Sequence, residues 1–439
     1  MQVDKTTIQD IGLLDQQESK GLASHLDFCK TNGGKNQWMH FVTNPLGSID
    51  AIKARQSALQ VLLSKKDFLD QMKISNGTCL VIDQFYSTGF KPIPRNISVP
   101  GAYWYQIWNK TDYALIAYSV QHMVSFVQSL DEWLTTFENY KSTPVLDGLY
   151  ASIQAAIAKM DCLGIDLKKL KEAPQTVLQL GYFFAYEYKA RIKALQDQFY
   201  ILDAYYSMAA AFQYYQFSFP TWVDQSSPII EFEGAMHPLV PDAIGNDLQL
   251  TVSKRFLFLT GANMAGKSTF IKTVGILAYL AHIGMGVPAK NCRLSFLDGL
   301  ITNLTTADNV LKGESYFFNE VQRIKQTLTH VLDGKKYLIL IDELFKGTNI
   351  IDAMKCSEKV IEGLQALQHS LTILSTHLYE ISEPLKKYPH LQFYFFETAV
   401  TNKALVFNYT LKEGVSQDRI GYLILEREGV VALIDRINT

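Results

Sequence analysis

The stretch Phe256-Leu257-Phe258-Leu259-Thr260-Gly261-Ala262-Asn263-Met264-Ala265-Gly266-Lys267-Ser268-Thr269 decides the fold. An apolar run leads into a loop punctuated by glycine and closed by Lys-Ser-Thr. That is the strand–loop–helix order of a phosphate-binding loop. Loop N–H groups and the N-terminus of the following helix point positive dipole ends at an anion. Gly261 and Gly266 let the backbone turn and approach that anion without a Cβ in the way. Lys267 brings a point charge to the β/γ-phosphates, and the Ser268 hydroxyl can ligate Mg²⁺. Ala262, Asn263, Met264, Ala265 and Thr269 complete the expected phosphate-binding loop.

Two further motifs follow in chain order. Leu338-Ile339-Leu340-Ile341 reads as a buried strand, and Asp342-Glu343 ends it. A carboxylate at that place can hold Mg²⁺ with Ser268, so Asp342 is the second expected metal residue. Glu343 can polarise an attacking water as general base. Leu371-Thr372-Ile373-Leu374 is a second buried run, and Ser375-Thr376-His377 follows it. His377 can bond the γ-phosphate or the attacking water. A chance match, a strand-end turn and a structural histidine are the alternatives at these three places. Gly347-Thr348-Asn349 with Asp352 fits a loop at a subunit interface. Gly313-Glu314-Ser315 could offer donors to a phosphate across such an interface, with Ser315 as the reaching hydroxyl.

The composition is that of a globular chain large enough for two or three domains. It has 439 residues, 48% hydrophobic and 19% charged. A net charge of -2 excludes a strongly basic footprint over the whole chain. Cys29, Cys79, Cys162, Cys292 and Cys356 are scattered without a C-x-x-C pair, so reduced thiols in a cytoplasmic protein are expected. No signal peptide is read at the start. The apolar stretch Phe270–Ala289 contains Lys272 and His282 and follows the glycine loop, so it reads as a buried helix and not a membrane span.

The two halves differ in texture. The first is expected to be mostly helical: a helix to Leu63 capped near Ser48, then Tyr113–Tyr140, Val145–Met160 and Ala173–Gln213. Leu80–Pro100 should break the pattern, with Gly89 and three prolines marking loop or short strands. The Ala173–Gln213 stretch could be one long arm or two helices broken near Gly181. Its many tyrosines and phenylalanines read as helix–helix packing, because few Lys and Arg interleave them as base stacking would require. Pro220 to Pro228 marks the boundary, giving domains 1–225 and 226–439. The second should be α/β, with strands at Phe256–Thr260, Gly299–Asn303, Tyr337–Ile341 and Thr372–Ser375.

Together, Thr260–Thr269, Asp342–Thr348 and Ser375-Thr376-His377 resemble the ATPase domain of the MutS family of DNA mismatch-repair proteins. Asn263-Met264 inside the loop is the specific touch. Gly284–Ala289, His237-Pro238-Leu239 and Asn44-Pro45-Leu46 with the following helix are similar to that family as well. The resemblance implies a P-loop NTPase domain of ABC type at the C-terminal side and a mostly α-helical lever/core domain before it. It implies a Mg²⁺-dependent ATPase that works as a homodimer, with Ser315 as the signature serine reaching the partner's ATP and His377 as a switch. DNA, held by its phosphates, is the implied partner, with a repair protein as a further one. The departures are Ala262 for proline, Ala265 for glycine, Glu314 for arginine, Tyr316 for threonine, and Ala243 where an aromatic residue should stack on adenine. No mismatch-reading domain is expected, and the C-terminal dimerisation element should be trimmed. An ATP-gated scaffold acting on a protein partner is the alternative. A P-loop small-molecule kinase fits less well, since the Asp-Glu pair and Thr-His suit hydrolysis.

Overall fold

The computed structural model describes residues 1–14, 21–64, 74–137, 142–158, 160, 162–304, 316–401, 404–416, 425–426 and 429–437. It divides into two compact units. One comprises Met1–His25, Pro45–Ile52 and Phe212–Thr439; the other comprises Leu26–Asn44 and Lys53–Ala211.

The first unit is built on mixed α/β sheets. Its strands are β1 (Thr221–Trp222), β2 (Ile230–Ala235), β3 (Asn246–Leu250), β4 (Phe256–Thr260), β5 (Asn291–Leu294), β6 (Gly299–Asn303), β7 (Tyr337–Asp342), β8 (Ser370–Ser375), β9 (Leu391–Thr401) and β10 (Ala404–Glu413). A six-stranded sheet runs β10-β9-β4-β8-β7-β6, parallel except for the β9–β10 hairpin. A four-stranded sheet runs β1-β5-β2-β3. Strands β4 and β7 read as near-continuous apolar runs because both faces are covered, and β4 and β8 are buried along their whole length. Phe256, Phe258, Ile339, Ile341 and Leu374 pack there with Ile361 and Leu364 of the helix Ile350–Gln365. The helix Lys267–His282 supplies the apolar stretch after the glycine loop, buried at nearly every position. Among the described residues, no helix is long and apolar enough to cross a membrane.

The first residues of the chain belong to this unit, not to the helical one. Gln2 bridges to Gly299 beside β6, and the terminal ammonium donates to the Leu46 carbonyl at 3.1 Å. Asp10 is buried and accepts from the Thr302 hydroxyl at 2.8 Å and the Leu304 N–H at 3.2 Å, with Arg323 at 3.6 Å. The compact units therefore part near Ala211/Phe212, with Met1–His25 counted in the first.

The second unit is helical. Asn76–Ser87, Val99–Trp108, Lys110–Phe137, Pro144–Ile157, Pro174–Tyr182 and Lys189–Tyr214 are its longer members after Leu63, the last ending just inside the first unit. The expected break at Leu80–Pro100 is corrected to a shorter one. Ser75 caps a helix that runs through Leu80 to Ser87, and Pro100 sits in the first turn of Val99–Trp108, where its missing N–H costs nothing. Near Gly181 the long arm is two helices joined by a π-type turn, Phe183–Glu187. A Cβ on Gly181 would meet Ile116 at 2.7 Å, so the glycine allows the close helix approach. Phe184, Phe199 and Tyr205 are buried in packing, as their spacing predicts. The exposed aromatics lie elsewhere. Val99, Tyr103, Trp104, Ile107 and Trp108 form a stripe along an uncharged helix, with the two indoles nearly parallel at 6.3 Å.

All five cysteines are free. Burial pushes the Cys79 thiol up to about 11 and Cys292 up to about 12, so both stay protonated and inert near neutral pH.

Candidate functional site

Strand register brings the three motifs together. Leu259 of β4 pairs with Ser375 of β8, and Ser375 pairs with Asp342 of β7. The glycine loop, the acidic pair and Ser375-Thr376-His377 thus leave one carboxyl edge side by side, where open parallel sheets bind ligands.

The loop is shaped by backbone that only some residues accept. Gly261 has φ 138°, and a Cβ there would meet the Phe396 carbonyl oxygen at 3.2 Å. Gly266 has φ 106° and takes the N-cap position of Lys267–His282 with no side-chain cap. The first N–H groups of that helix therefore lack the usual capping oxygen and suit an anion. Lys267 is buried, and its Nζ donates to the Gly261 and Ala262 carbonyls at 2.7 and 3.0 Å. Burial lowers its pKa, and the nearby Glu343 and Asp342 work against that fall.

Asp342 is gripped by two serines. Ser268 donates to Oδ2 at 2.5 Å, and Ser375 donates to Oδ1. A hydroxyl and a carboxylate are hard oxygen donors in contact, the set Mg²⁺ takes when phosphates and waters fill its other positions. Among the described residues no group of three or more His, Cys, Asp or Glu could hold a metal ion alone, and a phosphate-borne Mg²⁺ needs none.

Glu343 follows at φ 60°, a left-handed backbone costing roughly 1–2 kcal/mol for a residue with a Cβ. Its N–H donates to the Ser375 carbonyl at 3.0 Å. Its carboxylate meets Lys346 at 2.9 Å and the His377 Nδ1 at 3.9 Å. His377 is 54% exposed, so its ring stands free to meet a ligand.

A cleft of about 720 Å³ opens beside the loop. Ala262, Asn263, Met264, Lys267, Ser268, Thr269 and Glu343 line one part of it, and the β2–β3 connection from Met236 to Ile244 lines another. Asp342, Ser375 and His377 lie at its margin through the contacts above. Ala265 is buried within the loop. Ser315 lies outside the described residues. Phe396 is buried on β9 and lines the cleft.

Sequence reading missed two contributors here. Tyr409 lines the cleft from β10 at φ 52°, beside the bulge between Phe407 and Leu411. A Cβ on Gly266 would sit 3.3 Å from its ring. Asn246 holds that bulge with both ends of its amide, donating to the Tyr409 carbonyl at 3.0 Å and accepting from the Leu411 N–H at 2.7 Å. A bulge of this kind leaves no local sequence signal. Ala243, where an aromatic residue was expected, lines the same cleft, and Tyr409 brings a ring to it from another strand.

Known proteins share part of this sequence. The family described as MutS domain V matches residues 257–434. The DNA mismatch repair protein MutS of Petrotoga mobilis is 28% identical over 279 residues, covering 62% of this chain and 34% of that protein. The protein of the same name from Listeria welshimeri is 28% identical over 272 residues, covering 59% and 31%. That of Aquifex pyrophilus is 31% identical over 202 residues, covering 45% and 23%. The matched stretch spans about a third or less of the length of these relatives. Residues 257–434 thus match the MutS family in its domain V, and 45–62% of the chain is similar to proteins named MutS.

Proposed function

We propose that the chain is a Mg²⁺-dependent ATPase of the P-loop, ABC type, with the helical unit as its lever/core domain. One observation carries this reading: Lys267, Ser268, Asp342 and Glu343 converge at an uncapped helix N-terminus beside a cleft of about 720 Å³. The loop amides and Lys267 bind and neutralise the phosphates. Ser268 and Asp342 would hold Mg²⁺, which would supply positive charge to offset the charge that develops on the phosphates. Glu343 accepts the proton of the attacking water, and His377 orients it. Tyr409 flanks the nucleoside end, offering a ring to the base.

The relatives are named as DNA mismatch repair proteins, and we place this chain in that kind of work or in recombination. It would act as a homodimer on DNA, with contacts mainly to phosphates and hence salt-sensitive. A cytoplasmic location agrees with its free thiols. The second reading is an ATP-gated scaffold for a protein partner. The uncharged stripe Val99, Tyr103, Trp104, Ile107 and Trp108 favours it, since exposed apolar patches mark protein contacts more than phosphate contacts.

The test is steady-state ATP hydrolysis by wild type and Glu343→Gln with no DNA, paired, mismatched and branched duplex. DNA stimulation supports the first reading, and its preferred structure names the substrate. Hydrolysis indifferent to every DNA moves the conclusion to the scaffold. No hydrolysis by wild type refutes the ATPase.

A further inference from the structure

The loop after β7 contains two left-handed residues that are not glycine, Glu343 at φ 60° and Phe345 at φ 58°. Such backbone persists only where its surroundings over-determine it. Lys346 pairs with the Glu343 carboxylate, but its side chain is 40% exposed, and an ion pair that wet is screened too well to hold a strained loop.

The hold comes from the start of the helix Tyr316–Val331. Phe317 sets its ring against that of Phe345 at 5.7 Å, and Phe345 is buried. Glu320 is buried, and its two oxygens accept from two successive backbone N–H groups. Lys346 donates to Oε1 at 3.1 Å and Gly347 to Oε2 at 3.2 Å. Charge-assisted bonds shielded from water are the strong kind. Two oxygens on two consecutive amides fix both the position and the tilt of the peptide between them. That peptide begins three residues beyond Glu343.

We propose that Glu320 is the positioning residue for the general base. It locks the strained loop so that the Glu343 carboxylate faces the glycine loop. The inference rests on the reading of Glu343 as general base. Glu320 itself touches neither nucleotide nor water. Its effect should therefore fall on turnover, not on nucleotide affinity.

The experiment compares wild type, Glu320→Ala, Glu320→Gln and Glu343→Gln. Four readouts are taken: kcat, KM, binding of a non-hydrolysable ATP analogue, and hydrogen exchange of the peptide covering residues 343–349. A misplacement of ~1 Å can cost roughly 10²-fold in rate, so kcat of Glu320→Ala should fall by about that much. Analogue binding should stay within about twofold, since the loop amides and Lys267 are untouched. The Lys346 and Gly347 amides should exchange faster. Glu320→Gln keeps one acceptor oxygen and should fall between on both kcat and exchange. A mere packing role predicts no such ordering and no kcat–KM split. Full kcat with unchanged exchange in Glu320→Ala overturns the inference, as does a loss of kcat matched by loss of analogue binding. Should Glu320→Ala fail to fold, Glu320→Gln decides, and wild-type kcat and exchange in that variant overturn it. An inactive Glu343→Gln beside a fully active Glu320→Ala sinks this inference alone. A Glu343→Gln that still hydrolyses ATP sinks the general-base reading and this inference with it.

Discussion

Acid should unfold the unit that carries the glycine loop through one buried histidine. His282 ends the helix that Lys267 and Ser268 begin. Its ring is wholly buried, edge-on to Trp222 at 5.2 Å and tilted against Phe296 at 5.2 Å. The Ala278 carbonyl lies 2.7 Å from Nδ1, and the Leu297 N–H donates to Nε2 at 3.0 Å. These partners assign the neutral tautomer, with its proton on Nδ1 and a lone pair on Nε2. A second proton would set N–H against N–H. Burial pushes the pKa from 6.5 down to about 3. The folded state thus refuses a proton that the unfolded chain accepts. Stability from this group is whole above the unfolded value of 6.5 and is lost progressively as pH falls from there toward 3. At 1.36 kcal/mol per unit, the loss is about 2 kcal/mol by pH 5 and about 4 kcal/mol by pH 3. Urea unfolding at pH 7, 6 and 5, for wild type and His282→Gln, isolates it. The glutamine cannot titrate, so the difference between the two curves carries the histidine alone. Imidazole C2–H shifts followed by NMR give the same answer directly. A difference curve flat from pH 7 to 5, or a His282 that titrates above pH 5, refutes the reasoning.

Other outcomes follow from the same contacts. Glu343→Gln should lower ATP turnover by roughly 10²–10⁴-fold with analogue binding kept; single-turnover hydrolysis checks it, and loss of binding would contradict the role. Gly266→Ala forces a Cβ into φ 106° beside Tyr409, costing roughly 1–2 kcal/mol of backbone strain; titration with a fluorescent ATP analogue should show weakened binding, and wild-type affinity would refute it. Tyr409→Ala should weaken ATP binding by roughly 1–3 kcal/mol if its ring stacks on the base, measured by calorimetry against Tyr409→Phe, which should bind as wild type does. Asp10→Ala leaves Arg323 and the Thr302 hydroxyl without their shared carboxylate, and should destabilise the first unit by about 3 kcal/mol in urea.

The parts legible in the sequence are those whose physics is local. Four buried strands announced themselves as apolar runs ended by turn residues, and their strand positions hold to within two residues at Phe256–Thr260, Gly299–Asn303, Tyr337–Asp342 and Ser370–Ser375. Strand register was not read from the sequence; it shows only in the pairing of Leu259 with Ser375 and of Ser375 with Asp342. The β9–β10 hairpin was missed, since its strands lack a buried run flanked by helices. The N-terminal segment was missed for another reason. Nothing near Asp10 says that its partners are Thr302 and Arg323, about three hundred residues away. The Leu80–Pro100 break was overread because three prolines weigh heavily on a window. One of them, Pro100, sits where a helix tolerates it.

The same distinction separates the groups expected to perform the chemistry from those that hold them. Lys267, Ser268, Asp342 and Glu343 stand in motifs because each must occupy one place on a strand end or a helix start. Their supports carry no motif. Ser375 steadies Asp342 from a neighbouring strand, Asn246 steadies the Tyr409 bulge across 163 residues of chain, and Glu320 reaches Lys346 across 26. A support needs only an oxygen or an amide at the correct point in space, so many sequence positions could supply it. That freedom is why Ala243 need not weaken the cleft: a ring from Tyr409 reaches it from β10. It also sets what a close match in motifs can promise. Two chains with the same loop and acidic pair can differ in turnover through residues such as Glu320, whose effect appears only once the left-handed turn at Glu343 and Phe345 is seen to need holding.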